Sequence, residues 1–369
     1  MKSFYLRLAL FVLPLVAVAG GVAVVLRQTG EMVPLGEIIA RQRQAPVLYG
    51  TAYVGSVPAY KLESVKQRRP EIIAMGSSQA FQLRQEFFRD PSRFYNASMG
   101  ALPLSGPLLF LEQLPPEALP KVILLTVDSW WFNPKDRDNP GGDGYFATPQ
   151  WSSVVRSSWK AVLGDLRAGK IVFHRQASQR FGEAIGIAAA NTGWGFRSDG
   201  SFRYGTTTES GKNSDGPGFR DYLAEMDNQE GRGAVHAPKH SAAAVKRFSV
   251  LLDFCKAHGI YLVGMLNPYP TPVLARAHKG DDFGYIWDLE EPLKAAFAQR
   301  GFPLFNFHSV AEVGSGDDEF INGFHGSEVC YARMMAFMAG RDPVLVKYVD
   351  VEKVRKLIEG RRSGLELNL

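Results

Sequence analysis

The chain has 369 residues, of which 46% are hydrophobic, and this length predicts one large domain or one domain that carries an insertion. Its 42 basic and 37 acidic residues give a net charge of +5 that is spread along the sequence. Because no run of lysine and arginine alternates with aromatic residues, the sequence argues against a nucleic-acid partner.

The N-terminus carries a candidate membrane anchor. Lys2 and Arg7 precede an apolar stretch over residues 8–26. At about 1.5 Å per residue, this stretch nearly matches a hydrocarbon core about 30 Å thick. The positive flank predicts a cytoplasmic N-terminus, so residues 1–30 are interpreted as a single-pass anchor in the inner (cytoplasmic) membrane, with the body in the periplasm or extracytoplasmic space. A signal peptide cleaved after residues 17–19 is the alternative.

The next part of the chain predicts an α/β fold. Residues 31–65 are interpreted as a juxtamembrane connection, and in residues 66–345 apolar strands alternate with helical stretches, which is typical of βαβ units and a mostly parallel sheet. Strands are predicted at 71–76, 94–96, 121–127, 261–266 and 303–306. Helices are predicted at 104–114, 241–258, 284–299 and 327–339.

A long segment of different character interrupts this alternation. Residues 134–238 are rich in glycine, serine and threonine and are interpreted as an insertion over the top of the sheet, because loops of this length are unusual in a compact core. The insertion is expected to hold some helix near 152–190 and a hairpin at 194–205. Residues 346–369 are interpreted as a C-terminal tail with a short amphipathic helix and a frayed end.

Two cysteines, Cys255 and Cys330, fall in helix-like segments. Outside the cytoplasm they are permitted to pair, and the sequence leaves a disulfide and two buried free thiols as open alternatives. The chain has no Cys/His spacing typical of a metal site. We therefore expect neither a metal nor a cofactor.

A serine-bearing turn is the first candidate for chemistry. The sequence Gly-Ser-Ser at residues 76–78 lies between an apolar strand and a segment with helical character. Such a turn places a hydroxyl at the carboxyl edge of a sheet and directs the free N–H groups of the helix toward it. This geometry suits an activated serine, and a helix N-cap is the alternative for either serine. We expect Ser78 to be the nucleophile and Ser77 to be structural.

Oxyanion donors are predicted at the backbone N–H of Ser78 and at the ends of the next two strands. Gly100 follows the second strand, where it leaves a backbone N–H approachable or only allows a tight turn. Ser129 or Asn133 after the third strand is a candidate side-chain donor. Between them, Trp130 and Trp131 are interpreted either as a sugar-stacking platform or as core anchors.

The last candidate is a loop histidine near the C-terminus. His325 lies between Gly323 and Gly326, just before a helix that Ser327 is expected to cap. A loop above the sheet allows His325 to reach a serine as a general base.

Taken together, these motifs resemble the SGNH or GDSL-type hydrolase superfamily. Its blocks are Gly-Asp-Ser after the first strand, a glycine after the second, an asparagine-bearing loop after the third, and Asp-x-x-His near the C-terminus. Residues 76–78 match the first block, Gly100 the second and His325 the fourth. The resemblance covers roughly residues 70–133 and 240–340. It implies a flavodoxin-like three-layer sandwich with a mostly parallel sheet.

A Gly-Ser-Ser first block on a single-pass, extracytoplasmic body resembles one branch of this superfamily. That branch contains DltD-like D-alanyl-transfer proteins and envelope polysaccharide O-acetylation proteins of the AlgJ/AlgX type. The resemblance implies an O-acyltransferase or acylesterase that uses a serine and a histidine on a cell-envelope or secreted polysaccharide. It also implies a membrane O-acyltransferase, or a polysaccharide synthesis or export machine, as the partner.

Two departures from the family pattern bear on activity. The third block lacks Gly-x-Asn-Asp, which leaves the side-chain oxyanion donor unassigned. Asn322 stands where the family carries the triad aspartate, and an amide orients an imidazole without stabilising its charge. Asp317 or Asp318 is the alternative acid, with Asp318 preferred. A weak or inactive accessory subunit that binds glycan is therefore the alternative function.

Overall fold

The computed structural model describes residues 2–100, 102–139, 144–171 and 182–369. The chain divides into two compact units. The first comprises Met1–Ser56, Phe146–Ser198 and Phe202–Thr206, and the second comprises Val57–Tyr145, Asp199–Ser201 and Thr207–Leu369. Each unit is built on its own β-sheet.

The regular elements of the described residues are numbered in chain order. The strands are β1 (Leu48–Tyr49), β2 (Ile72–Met75), β3 (Phe94–Asn96), β4 (Val122–Val127), β5 (Ala184–Ile185), β6 (Trp194–Phe196), β7 (Phe202–Tyr204), β8 (Tyr261–Leu266) and β9 (Leu304–Asn306). The helices are α1 (Lys2–Gln28), α2 (Leu35–Gln44), α3 (Val57–Arg68), α4 (Gly106–Glu112), α5 (Trp151–Arg167), α6 (Ile187–Thr192), α7 (Arg220–Asn228), α8 (Ala242–Ala257), α9 (Thr271–Ala277), α10 (Gly284–Trp287), α11 (Glu290–Ala298), α12 (Glu328–Ala339), α13 (Leu345–Tyr348) and α14 (Val351–Glu359).

The second unit contains a five-stranded sheet with the spatial order β3-β2-β4-β8-β9. Every neighbouring pair in this sheet is parallel. Strands β2 and β4 are buried along their whole length, as expected for apolar strands that are covered on both faces. The predicted α/β class and parallel sheet are confirmed, and the ends of the five strands lie within one residue of the predicted ends.

Helices pack against both faces of this sheet. Ile72 of β2 and Val263 of β8 share a buried cluster with Met335 of α12. Neighbouring side chains in a strand point to opposite faces, so Gly264 faces the other side. A Cβ on Gly264 would lie 2.4 Å from the ring of Phe297 in α11. The parallel sheet therefore lies between two helical layers.

Most of the predicted helices are present. Helices α4, α8 and α12 occupy the predicted stretches 104–114, 241–258 and 327–339. The predicted helix at 284–299 is instead two helices, α10 and α11. Leu289 in the break is fully buried and keeps right-handed helical angles (φ −81°, ψ −25°), so the apolar periodicity continues although the regular helix is interrupted.

The first unit contains a four-stranded sheet with the order β5-β1-β6-β7. Strand β1 is parallel to β5 and antiparallel to β6. Strands β6 and β7 form an antiparallel hairpin, with Trp194 opposite Tyr204, and this confirms the hairpin predicted at 194–205. Helix α5 supplies the helix predicted near 152–190, although residues 172–181 of that stretch lie outside the described residues.

Helix α1 contains the apolar N-terminal stretch. The span Ser3–Gln28 reaches a mean hydropathy of 2.7, and its length and composition suit a single-pass membrane anchor or a signal sequence. Its last turns behave differently, because Val22 and Leu26 are buried against Val154, Val155 and Val162 of α5. The C-terminal part of α1 therefore belongs to the packed body of the first unit.

The connection predicted at 31–65 ends earlier than expected. The second unit begins at Val57, where α3 starts. In α3 the charged side chain of Lys61 is fully buried and donates to the carbonyl oxygens of Asn96 and Gly200. Because a lysine is normally exposed, Lys61 interrupts the apolar pattern that would mark α3 as a buried helix. This explains why the predicted connection extends to residue 65.

The insertion and the tail also differ from their predicted boundaries. The segment 134–238 is divided, because residues 146–198 and 202–206 lie in the first unit while residues 207–238 lie in the second. In the tail, Leu367 is buried and its N–H donates to the carboxylate of Glu328 at 2.8 Å. The predicted frayed end is therefore packed against the second unit.

Both cysteines are free and buried. Burial raises the pKa of each thiol, Cys255 and Cys330, to about 12. Neither is a reactive thiolate at neutral pH.

Candidate functional site

The turn after β2 presents Ser78 at the carboxyl edge of the parallel sheet. Gly76 has a φ of +129°, and a Cβ there would lie 1.9 Å from the side-chain oxygen of Thr126. Ser77 then caps the short 3₁₀ helix Ser78–Gln82, since its Oγ accepts from the N–H of Gln79 at 3.3 Å. The cap role thus falls to Ser77, which leaves the Ser78 hydroxyl available for a different partner.

Replacing Gly76 with alanine is expected to destabilise the second unit by about 3 kcal/mol or more, because a clash adds to an unfavourable φ. Gly259 is a matched control. It has a φ of +67°, and no atom lies within 4 Å of the position that a Cβ would take, so Gly259→Ala is expected to cost only about 1 kcal/mol. Chemical denaturation of both variants measures the difference, and equal losses would contradict the role given to packing at Gly76.

Ser78 and His325 form a hydrogen-bonded pair. The Nε2 atom of His325 lies 2.8 Å from the Oγ of Ser78, although 247 positions separate them in the sequence. The histidine loop is closed by a bridge between Phe320 and Gly326. Ser327 accepts from two N–H groups at the start of α12, which is the predicted cap. The structure therefore brings the expected nucleophile and general base together.

Asn322 sets the tautomer of His325. Its Oδ1 accepts from the backbone N–H groups of Phe324 at 2.9 Å and of His325 at 2.7 Å. These two donors identify the atom as the amide oxygen, and the same oxygen lies 2.9 Å from His325 Nδ1. Nδ1 must therefore carry the ring proton, and Nε2 presents its lone pair to the Ser78 hydroxyl.

The imidazole is neutral in this environment. Burial lowers the pKa of His325 to about 4. A neutral ring is ready to accept a proton at pH 7, but the same low pKa makes it a weak base. The amide of Asn322 orients the ring and adds no charge that would stabilise an imidazolium.

The two alternative acids lie away from His325 Nδ1. The Asp317 carboxylate accepts from the N–H of Thr271 at 2.7 Å. The Asp318 carboxylate lies beside the backbone of Gly364, where a Cβ would be 3.0 Å from Oδ2. The group that meets His325 Nδ1 is the amide of Asn322 and not the carboxylate expected from Asp318.

Among the predicted oxyanion donors, the backbone N–H of Ser78 is the best placed. Within the described part of the chain it has no hydrogen-bond acceptor. The N–H of Gly100 already donates to the carbonyl of Ala97 at 3.1 Å, and Gly100 is required because a Cβ would lie 2.9 Å from the Phe110 ring. Gly100 is thus explained by packing.

The two side-chain donors expected after β4 do not line the cavity that contains the serine. Asn133 is buried, and its amide donates to the carbonyl of Val235 at 2.8 Å. Ser129 is buried, and its hydroxyl lies beside that of Tyr269. Neither side chain lines the cavity that contains Ser78, so both belong to the packing of the segment after β4.

The paired tryptophans do not form an exposed stacking platform. Trp131 is 2% exposed, donates from Nε1 to the carbonyl of Leu102 at 2.8 Å and packs near Phe248. Trp130 is 4% exposed and meets Trp131 edge to face. Trp131 is therefore a core anchor, whereas one side of Trp130 reaches the cavity.

A cavity of about 330 Å³ opens beside the Ser78–His325 pair. One part of its wall is apolar and aromatic, and another carries carboxylates from residues 207–238. The lining residues are Ser77, Ser78, Met99, Leu102, Trp130, Asp215, Tyr222, Glu225, Glu230, Gly231, Gly233, Ala234, Asn322, Phe324 and His325. The volume suits a small acyl group together with part of its carrier or acceptor.

Two carboxyl groups in the cavity wall have raised pKa values. Burial raises the pKa of Asp215, and burial with the charge of Asp215 raises the pKa of Glu225.

The backbone of Met99 has a φ of +62°, which is uncommon for a residue other than glycine. Its N–H donates to the carbonyl of Gly76 at 2.9 Å. This hydrogen bond therefore joins the serine turn to the part of the cavity wall that contains Met99.

Three functional candidates were not predicted from the sequence. Asp128 follows β4 and accepts from the Ser77 hydroxyl at 2.6 Å. Asn267 follows β8 and contacts both Asp128 and Gln79. The rule that parallel strands gather functional side chains at their carboxyl ends points to Asp128 and Asn267, whereas nothing in the sequence marks Gln79.

Comparisons with known proteins add no relative to this description. A scan against protein families finds no match to the chain, and a search of curated proteins finds no similar sequence. In the described residues, no group of three or more His, Cys, Asp or Glu side chains is arranged to hold a metal ion. Function is therefore inferred from the geometry around Ser78.

Proposed function

We propose that the protein is a membrane-anchored, extracytoplasmic SGNH-like O-acyltransferase or acylesterase that works through a serine acyl-enzyme. The observation that carries this proposal is the hydrogen bond of 2.8 Å between Ser78 Oγ and His325 Nε2, with Nδ1 fixed by Asn322. A nucleophile, a base and a group that orients the base are the parts that acyl transfer requires.

The reaction follows from these positions. Ser78 Oγ attacks the acyl carbonyl carbon while its proton moves to His325 Nε2. The oxyanion forms near the N–H of Ser78, and on its collapse the leaving oxygen takes the proton back from His325. A sugar hydroxyl or water then attacks the acyl-enzyme, with His325 again accepting the proton. The bond between the acyl carbon and Ser78 Oγ then breaks, and His325 Nε2 returns the proton to Ser78 Oγ. These two acceptors correspond to transfer and hydrolysis.

The architecture supports the finer fold assignment within this proposal. Renumbered within the sheet, the order β3-β2-β4-β8-β9 reads 2-1-3-4-5, which is the flavodoxin-like order. Ser78 follows β2, which is the first strand of that sheet. Helical layers on both faces are in keeping with a flavodoxin-like three-layer sandwich of the SGNH kind.

The cellular setting forms part of the proposal. Helix α1 suits a single-pass anchor, and the basic N-terminal flank favours a body outside the cytoplasm. A cell-envelope or secreted polysaccharide is the acceptor by resemblance to the envelope O-acetylation branch. By the same resemblance, the partner is a membrane O-acyltransferase that supplies the acyl group, or a polysaccharide synthesis or export complex.

A second function is favoured by Asn322. With an amide at the acid position and an imidazole of low pKa, the protein is alternatively a weakly active or inactive accessory subunit that holds glycan. Retention on an immobilised polysaccharide without turnover of p-nitrophenyl acetate would favour this alternative. In that case the cavity beside Ser78 binds its ligand without covalent chemistry.

Trapping of an acyl-enzyme tests the proposed function. After brief incubation with p-nitrophenyl acetate, we expect one acetyl group on the peptide that contains Ser78, seen by mass spectrometry, and none on that peptide in Ser78→Ala. The control Ser92→Ala removes an exposed hydroxyl that donates to Asp90, and it should label like the wild type. Equal labelling of wild type and Ser78→Ala would refute the proposed nucleophile.

A further inference from the structure

Four buried polar side chains lie directly behind the Ser78–His325 pair. Asp128 accepts from the Ser77 hydroxyl at 2.6 Å and from the Ser77 N–H at 3.1 Å. The amide of Asn267 donates to the same carboxylate at 3.2 Å and to Gln79 Oε1 at 2.7 Å. Each of the four side chains is at most 3% exposed. We call this set, Ser77, Asp128, Asn267 and Gln79, the buried network.

The buried network holds the nucleophile from both sides in the sequence. Ser77 precedes Ser78 and is fixed by two hydrogen bonds to Asp128. Gln79 follows Ser78 and is fixed by Asn267. Since Asp128 and Asn267 follow β4 and β8, two strands of the sheet together determine where the Ser78 hydroxyl lies.

The same network reaches the histidine loop. Gln79 Nε2 donates to the carbonyl oxygen of Phe324 at 3.0 Å, one residue before His325. This bond joins segments that are 245 positions apart in the sequence. A single glutamine therefore ties the serine turn to the loop that carries the base, through its two amide atoms.

We infer that the buried network is the positioning device of the site and that Gln79 sets the distance between Ser78 Oγ and His325 Nε2. Asp128, Asn267 and Gln79 do not line the cavity, and Ser77 is the member of the network that reaches it. A fully buried carboxylate is an expensive way to stabilise a fold, and burial accordingly raises the pKa of Asp128 to about 7 despite its hydrogen bonds. Its retention beneath the nucleophile fits positioning, because small displacements of reacting groups lower rates steeply.

The catalytic meaning of this inference rests on the proposed function, but its geometric meaning does not. Gln79→Met keeps the length of the side chain while removing both amide contacts. Gln42→Met is the matched control, because Gln42 is 3% exposed and its amide donates to two carbonyl oxygens in the first unit. Both variants lose a buried amide, but only one of them loses the link to the histidine loop.

Two measurements test the inference. Crystal structures of Gln79→Met and Gln42→Met give the distance between Ser78 Oγ and His325 Nε2. Labelling with a fluorophosphonate at several concentrations separates the maximal rate of modification from the affinity for the probe. We expect Gln79→Met to lengthen the distance beyond hydrogen-bond reach and to lower the maximal rate about tenfold or more with unchanged affinity. Gln42→Met should match the wild type in both.

The outcomes keep the two proposals apart. An unchanged distance in Gln79→Met overturns the inference whether or not the probe reacts. A lengthened distance in a protein whose wild type never reacts at Ser78 supports the positioning device and removes the proposed function. If Gln79→Met does not fold, Gln79→Glu replaces it, since that variant retains the acceptor for Asn267 and sets an oxygen against the carbonyl of Phe324. The same two results for the distance then decide.

Discussion

Replacing Ser78 with alanine is expected to lower the turnover of an activated ester by about a thousandfold or more. The rate that remains comes from substrate binding and the oxyanion site. His325→Ala should cost about as much, because it removes Nε2, the proton acceptor that lies 2.8 Å from the serine hydroxyl. Initial rates with p-nitrophenyl acetate, corrected for spontaneous hydrolysis, measure both losses.

The double variant makes this prediction sharper. Groups that act as one unit are strongly non-additive, so Ser78→Ala combined with His325→Ala should lose no more activity than either change alone. Losses that multiply would show that the two residues act independently and would contradict the pair. Ser241→Ala is the control. The Ser241 hydroxyl accepts from the N–H of Ala244 and caps α8, so its loss should cost about 1 kcal/mol of stability with normal turnover.

The strands were predictable because their signal is local. Strands β4 and β8 are almost continuous apolar runs that the parallel sheet buries, and Thr126 is the one polar side chain within β4. The break between α10 and α11 was not predictable by the same means. Leu289 keeps the buried face continuous there, and hydrophobic periodicity does not register the interruption of a helix whose backbone angles stay in the helical region.

Long-range contacts explain the misplaced boundaries. Lys61 has the character of an exposed charge, yet its ammonium group meets carbonyl oxygens at Asn96 and Gly200, and the latter is 139 positions away. Burial also lowers its pKa well below the usual value for lysine. No window of neighbouring residues contains this information, so α3 was assigned to the connection instead of the second unit.

The sequence predicts the reactive side chains of the site but not the buried side chains that position them. Ser78 and His325 follow from the order of strand ends and from a loop flanked by glycines. Gln79 and Asn267 carry neutral amides, which occur throughout the surface of any protein and have no distinctive spacing. Their role depends on the 2.7 Å contact between them, across 188 positions of sequence, and only a folded chain reveals it.

Introducing aspartate at Asn322 is expected to raise turnover by about tenfold to a hundredfold at pH 7 to 8. The amide oxygen already accepts from His325 Nδ1 and from two backbone N–H groups, so a carboxylate oxygen fits the same position with the same donors. The added negative charge stabilises the imidazolium that forms when Ser78 transfers its proton. The pKa of His325 should therefore rise from about 4.

The pH dependence gives the sign of this effect a direct test. The base must be neutral to act, so protonation of His325 should lower wild-type activity as pH drops through the low pKa of His325. In Asn322→Asp the acidic limb should move to higher pH, and the gain over the wild type should shrink as pH falls. Asn213→Asp adds the same charge at an amide that accepts from the N–H of Asp215, and it should leave the acidic limb of the pH profile unshifted. A folded Asn322→Asp protein with unchanged turnover and an unshifted limb would mean that the missing carboxylate does not limit the chemistry, and the glycan-binding alternative would then be favoured.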